Sequence, residues 1–140
     1  MDSWEQRVRQ SFSRQEMMKT LGAEMSEVRS GATEIRFLYA ASLTQQHGYI
    51  HAGAVTSILD SACGYAALTV APEGAEVLSV EFKVNLLAPG VGESFVARAQ
   101  VKRAGKTIAV CAGDAFAVRP EGEKLIATML ATMIYVPVER

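Results

Sequence analysis

Asp60 is the only side chain certain to be charged at neutral pH between Phe37 and Pro72, and both histidines of the chain, His47 and His51, lie in the same stretch. An ionised carboxylate in apolar sequence is costly to bury unless it is paired or hydrogen-bonded, so its presence there needs a reason. In HGYIHAGAVTSILDSACGYAAL a glycine-bearing loop with two imidazoles runs into an alanine-rich segment, and Asp60 follows His51 by nine residues. If a helix begins at Ala52, Asp60 lies about 12 Å from its start, too deep for an N-cap. Its neighbours at helical spacing are Gly53, Thr56, Ser57, Cys63, Gly64 and Ala67, small residues that leave room beside the carboxylate for a ligand or another backbone. Two readings stand: a catalytic carboxylate facing a ligand, or a structural aspartate tied to hydroxyls and backbone amides. No metal site is expected, because the H-x-x-x-H spacing crosses a glycine loop and not a helix face.

The chain around these residues has the length of one domain with a real core. Fourteen basic and fifteen acidic residues nearly cancel, and no run of Lys or Arg gives the footprint expected for nucleic acid or an anionic membrane. The start, MDSWEQRVRQ, is charged within its first turn and lacks the apolar core of a signal peptide, so a cytoplasmic location is expected. Cys63 and Cys111 sit in apolar segments without CxxC spacing, which suits buried reduced thiols. Ala52 to Ala71 is apolar enough to weigh as a membrane span. Asp60 near its middle, the interrupting Gly53 and Gly64, the lack of flanking Lys or Arg and the need to cover the strands downstream all favour a buried helix instead.

Helix formers dominate the first twenty residues, with Trp4, Val8, Phe12, Met17, Met18 and Leu21 as apolar points, and predict a helix ending near Gly22. Two strand-like runs follow, Glu24 to Arg29 and Thr33 to Ala40, parted at Ser30 and Gly31. After the loop from Ser42 to His51 comes the central helix, stopped by Pro72 and Gly74. The period then changes to two. Leu78, Val80, Phe82, Val84 and Leu86 alternate with polar residues in a half-buried strand, and Phe95 to Lys102 forms the next. Thr107 to Arg119 and Lys124 to Val136 are apolar on both faces, which predicts interior strands or strands covered by a second subunit. The order is that of an α+β domain with an antiparallel sheet wrapped around its helix.

A strand, an H-G-x-x-H-[AG]-G loop, a buried helix with an acid nine residues after the last histidine, and four long strands together resemble the hotdog fold. Within it the chain resembles the PaaI-like acyl-CoA thioesterases, on QQHGYIHAGAVTSILDSACGYAA followed by LSVEFKVNLLAPG, over roughly Glu24 to Val136. The expectation is one hotdog thioesterase domain over 1–140, with residues 1–22 as an N-terminal helical extension.

The resemblance implies hydrolysis of acyl-CoA to free acid and CoA with no cofactor. Asp60 would attack the thioester carbonyl or draw a proton from the attacking water. The N–H of Ala52, with Gly53 behind it, would polarise the carbonyl at the positive end of the helix. Many members carry glycine where Ala52 stands; alanine keeps the amide and narrows the approach. Gln45 matches an Asn or Gln that hydrogen-bonds in the site, with Gln46 as the alternative register, and His51 would shape the loop near the carbonyl while His47 serves as scaffold. Ser79 matches a hydroxyl beside the acid. Tyr39, Tyr49, Ile50, Leu59 and Tyr65 are candidates to line the acyl pocket and Thr56 to meet substrate, whereas Lys83, Arg98, Lys102 and Arg103 are candidates for the phosphates of coenzyme A. Hotdog thioesterases set the acid of one subunit against the loop of another, so a homodimer or homotetramer is implied. Two alternatives compete: a hotdog hydratase or dehydratase, which would change the mass by one water with the thioester intact, and a module that binds acyl-CoA without releasing thiol.

Overall fold

The computed structural model describes residues 3–137. Its elements run α1 (Ser3–Ser13), α2 (Glu16–Leu21), β1 (Glu24–Arg29), β2 (Ala32–Leu38), a short 3-10 turn (Ala41–Leu43), α3 (Ala52–Thr69), β3 (Ala75–Leu86), β4 (Ser94–Ala104), β5 (Ile108–Arg119) and β6 (Gly122–Pro137). All strand pairs are antiparallel in the order β1-β2-β4-β5-β6-β3, and α3 packs across the sheet. This is the hotdog fold of the α+β class.

Small residues let α3 lie close on the sheet. Ile58, Leu59, Ala62, Cys63 and Ala66 are fully buried against Ala97, Ala109, Cys111, Ala115 and Ala131, and a Cβ on Gly113 would come within 3.2 Å of Leu59 Cδ2. Hydrogen bonds then fix the helix rotation. Thr33 Oγ1 donates to the Ala62 carbonyl at 2.7 Å, and Tyr135 Oη donates to the Ala67 carbonyl at 2.9 Å. Arg7 on α1 reaches the far end of α3, donating to the carbonyls of Leu68, Ala71 and Pro72. A guanidinium there satisfies orphan carbonyls and sits favourably at the negative end of the helix dipole.

Two expectations need correction. The N-terminal helix is broken at Arg14 and Gln15, without proline or glycine, before α2 ends on the left-handed Gly22; Gln15 is drawn instead into contacts with α3. The strand β3 is not half-buried in the protomer, because it is an edge and a bulge between Ser79 and Glu81 shifts its phase. Leu78 consequently faces away from the helix beside Ile134, while Phe82, Val84 and Leu86 pair with Ala131, Met129 and Ala127 on the helix side. Leu78, Val80, Phe82, Leu86 and Leu87 stay between 41% and 58% exposed. The doubly apolar β5 and β6 are interior strands, as their composition predicts.

Candidate active site

The loop before α3 is closed by its own polar groups. Gln45 Oε1 accepts from the backbone N–H of His47 at 2.5 Å and of Tyr49 at 3.2 Å, while its backbone N–H donates to the Tyr49 carbonyl at 2.8 Å. Gly48, at φ 82°, makes the reversal between them. With Oε1 engaged in the loop, the amide nitrogen of Gln45 is the end left to face the adjoining cavity. Gln46 and His47 are exposed and do not line it.

His51 is the N-cap of α3, its Nδ1 accepting from the Gly53 N–H at 2.7 Å. Acceptance requires a lone pair on Nδ1, so the proton of the neutral ring is on Nε2. A Cβ at position 53 would come within 3.0 Å of Nδ1, which is why glycine accommodates this cap. The arrangement revises the expected role of Gly53, because its amide is occupied by the histidine. The Ala52 N–H has no acceptor among the described residues and remains as a donor at the positive end of an 18-residue helix. It opens on a cavity of about 460 Å³ walled by Gln45, Tyr49, Ile50, Val55, Leu86 and Ile126.

Asp60 is half-buried, not sunk in the core. It lies on the flank of α3 that faces β3, where Ser79 Oγ donates to Asp60 Oδ1 at 2.6 Å and also contacts Met133 Sδ at 3.3 Å. One carboxylate oxygen is thereby held, and the carboxylate borders a second, polar cavity of about 160 Å³ that Gln15, Tyr65 and Glu76 also line. Gln15 Oε1 accepts from Ser61 Oγ at 2.7 Å, Gln15 Nε2 donates to Tyr65 Oη at 3.1 Å, and Tyr65 Oη also shares a 3.2 Å hydrogen bond with Ser11. Burial raises the Tyr65 hydroxyl above its ordinary pKa despite these partners.

Tyr49, Ile50, Gln45 and Ala52 thus meet at the first cavity and Asp60, Ser79 and Tyr65 at the second. Thr56, Tyr39 and Leu59 line neither. Lys83 and Lys102 are exposed on strands and Arg103 lies at the end of β4 that pairs with Val110, remote in register from the loop; none of the three lines either cavity. Arg98 is not a free cation: it donates to Glu34 at 2.7 Å, forks onto Glu123 at 2.7 and 2.8 Å, and stacks 5.2 Å above the Phe116 ring. Sequence reasoning missed Ser11 and Gln15, whose only signal is polar character in a segment otherwise read as a plain helix, and Glu76, which stands at the start of β3. Both thiols are buried. Burial raises Cys63 far above the ordinary range and pushes Cys111 up to about 11. Among the described residues no group of three His, Cys, Asp or Glu is disposed to hold a metal, and no helix is long and apolar enough to cross a membrane.

An alanine-packed helix on an antiparallel sheet, with an amide-bearing start and a carboxylate on its flank, defines a class as well as a shape. Residues 47–123 match the thioesterase superfamily. A thioesterase family protein of Silicibacter pomeroyi is 48% identical and superposes with a TM-score of 0.95 over 97% of this chain and all of its own. In fold the chain is also similar to the PaaI protein of the E. coli phenylacetic acid degradation operon, at 21% identity and TM-score 0.84 over 95% of this chain and 93% of that one. A thioesterase of Haemophilus influenzae is 21% identical, with TM-score 0.83 over all of this chain and 94% of its own. The chain belongs to the thioesterase superfamily, and thioester hydrolysis is the activity class this membership supports.

Proposed function

We propose that the protein hydrolyses acyl-CoA thioesters at a site shared between two copies of the chain. The observation that carries this reading is the separation of its two working groups. The Ala52 amide and Asp60 are eight residues apart on one rigid helix, about 12 Å at the standard rise, too far for both to act on one carbonyl. The exposed edge of β3 supplies the means of bringing them together: a strand paired on one side only and rich in exposed Leu, Val and Phe is a ready surface for a second strand. A twofold axis joining two such edges runs the α3 helices antiparallel on one face, with the start of one beside the flank of the other.

In that arrangement the thioester carbonyl oxygen accepts from the Ala52 N–H of one copy, and the Gln45 amide nitrogen supplies a further donor. Asp60 of the other copy, its Oδ1 held by Ser79, uses its other oxygen. As a general base it takes a proton from water, which attacks the carbonyl carbon; the C–S bond breaks as the tetrahedral intermediate collapses, and the proton passes to the departing thiolate. As a nucleophile it would form a mixed anhydride that water then opens. Single turnover in labelled water tests for the second route, since only an anhydride opened at the Asp60 carbonyl places solvent oxygen in the Asp60 carboxylate. The thiolate is a good leaving group, so no strong acid is required.

A panel of acyl-CoA esters followed with a thiol reagent tests the reading. The protein should release free thiol from at least one of them, and Asp60→Asn should lose that release while keeping the urea-unfolding transition of the parent. Retained turnover in Asp60→Asn refutes it.

A further inference from the structure

The cavity beside Asp60 ends on a part of the chain outside the superfamily match at residues 47–123. Gln15 lies at the break between α1 and α2, and both of its side-chain polar atoms are fixed by α3: Oε1 by Ser61 and Nε2 by Tyr65. The amide nitrogen carries two hydrogens, and Tyr65 uses one. The other has no acceptor among the described residues, and Gln15 lines a cavity whose further polar groups include the carboxylates of Asp60 and Glu76. Such a cavity suits a neutral group that both accepts from Gln15 and donates to a carboxylate. A hydroxyl does both, while an anion is repelled.

The two ends of an acyl-CoA have different demands. The pantetheine arm is tethered to a nucleotide and must run out to solvent, whereas the acyl group can terminate in a small space. The 460 Å³ cavity at the helix start suits the arm and the 160 Å³ cavity suits the acyl end. The latter is about a third the size of the former, room for a short acyl group and not a long one.

We propose that Gln15, carried on the N-terminal arm, forms the floor of the acyl pocket and selects short acyl groups bearing a hydroxyl, an inference that rests on the acyl-CoA hydrolase reading above. The test compares kcat/KM for 3-hydroxybutyryl-CoA, butyryl-CoA, succinyl-CoA and octanoyl-CoA. The parent should prefer the hydroxyacyl ester over butyryl-CoA by about tenfold or more, as expected for a hydrogen bond otherwise left unmade, and should use the anionic and the long ester poorly. Gln15→Leu should collapse the hydroxyl preference to about twofold or less. Tyr65→Phe, which keeps the ring and removes the hydroxyl that orients Gln15, should lower the same ratio by a smaller factor. Because a ratio between two substrates is read, a general loss of stability does not imitate the result, and Tyr65→Phe carries the test if Gln15→Leu fails to fold. An unaltered ratio in a folded variant, or no hydroxyl preference in the parent, overturns this inference alone. Thiol release from none of a wide acyl-CoA panel overturns the hydrolase reading and this inference with it.

Discussion

The start of α3 and its flank at Asp60 belong to one helix, yet they are built by opposite means. The start is a loop that satisfies itself: Gln45 closes the turn, His51 caps Gly53, and the Ala52 amide remains as a donor in mostly apolar surroundings. The flank is a junction, where β3 supplies Ser79 and the N-terminal arm supplies Gln15. Neither place contains both a free backbone amide at a helix start and an acid. On the proposed reading, the difference means that a catalytic pair need not be adjacent in one chain when an edge strand lets a second copy complete it.

The sharpest way to break this comparison is to disable the two places separately. Asp60→Asn should lower kcat by about a thousandfold. Ala52→Pro should lower it by about a hundredfold, since it deletes one amide at a first helical position that tolerates proline; His51, at φ −62° and ψ 137°, already has the extended backbone required before proline. Mixing the two inactive variants by unfolding and refolding together should restore about a quarter of parental activity, because half of the random dimers are mixed and each mixed dimer has one intact site. No recovery from dimers proved to be mixed would place both groups in the same chain.

Disrupting the shared edge should have the next largest effect. Phe82→Lys and Val80→Lys put charge on an exposed strand outside the buried core. The expected outcome is a monomer by sedimentation with activity lower by about a hundredfold or more, since no site then has both groups. Full activity in a monomer would mean that one copy suffices.

Replacing His51 measures how much of the loop side is capping alone. His51→Ala should destabilise by about 1 kcal/mol and slow turnover by roughly tenfold. Asparagine is a strong N-cap, so His51→Asn should recover the stability. If activity returns with it, the ring acts only through the Gly53 amide; if activity stays low, the Nε2 hydrogen contacts substrate.

Much of this was legible in the sequence, and the gaps have physical causes. The span of α3 and the succession of strands along the chain follow from periodicity, and the pairing of Ser79 with Asp60 is what the resemblance implies. The bulge at Val80 is invisible to a period of two, so Leu78 reads as a core residue although it faces outward beside Ile134. Likewise the break at Gln15 carries no helix-breaking residue; it is imposed by Ser61 and Tyr65, some fifty positions away. Histidine is an uncommon N-cap, and only the missing side chain at Gly53 makes room for it. Composition cannot tell a free cation from a spent one, and Arg98 is spent.

That last residue offers the smallest and most specific contrast, between a carboxylate held by a hydroxyl at Asp60 and carboxylates held by a guanidinium on the outer face of the sheet. Burial pushes Glu34 up, but hydrogen bonds from Ser26 and Arg98 outweigh it and hold the group below its ordinary value of 4.5. The fork from Arg98 likewise lowers Glu123. A carboxyl whose folded value is depressed contributes stability above its unfolded value and loses that contribution as pH falls through the folded one. Arg98→Met keeps the apolar length and removes the charge. It should cost up to about 1 kcal/mol near neutrality, as these side chains are partly solvated, and the cost should shrink progressively as pH drops below 4.5. Urea midpoints for parent and variant across that range check it: converging curves support the ion pairs as the source, and a constant offset would assign the loss to packing on Phe116 instead.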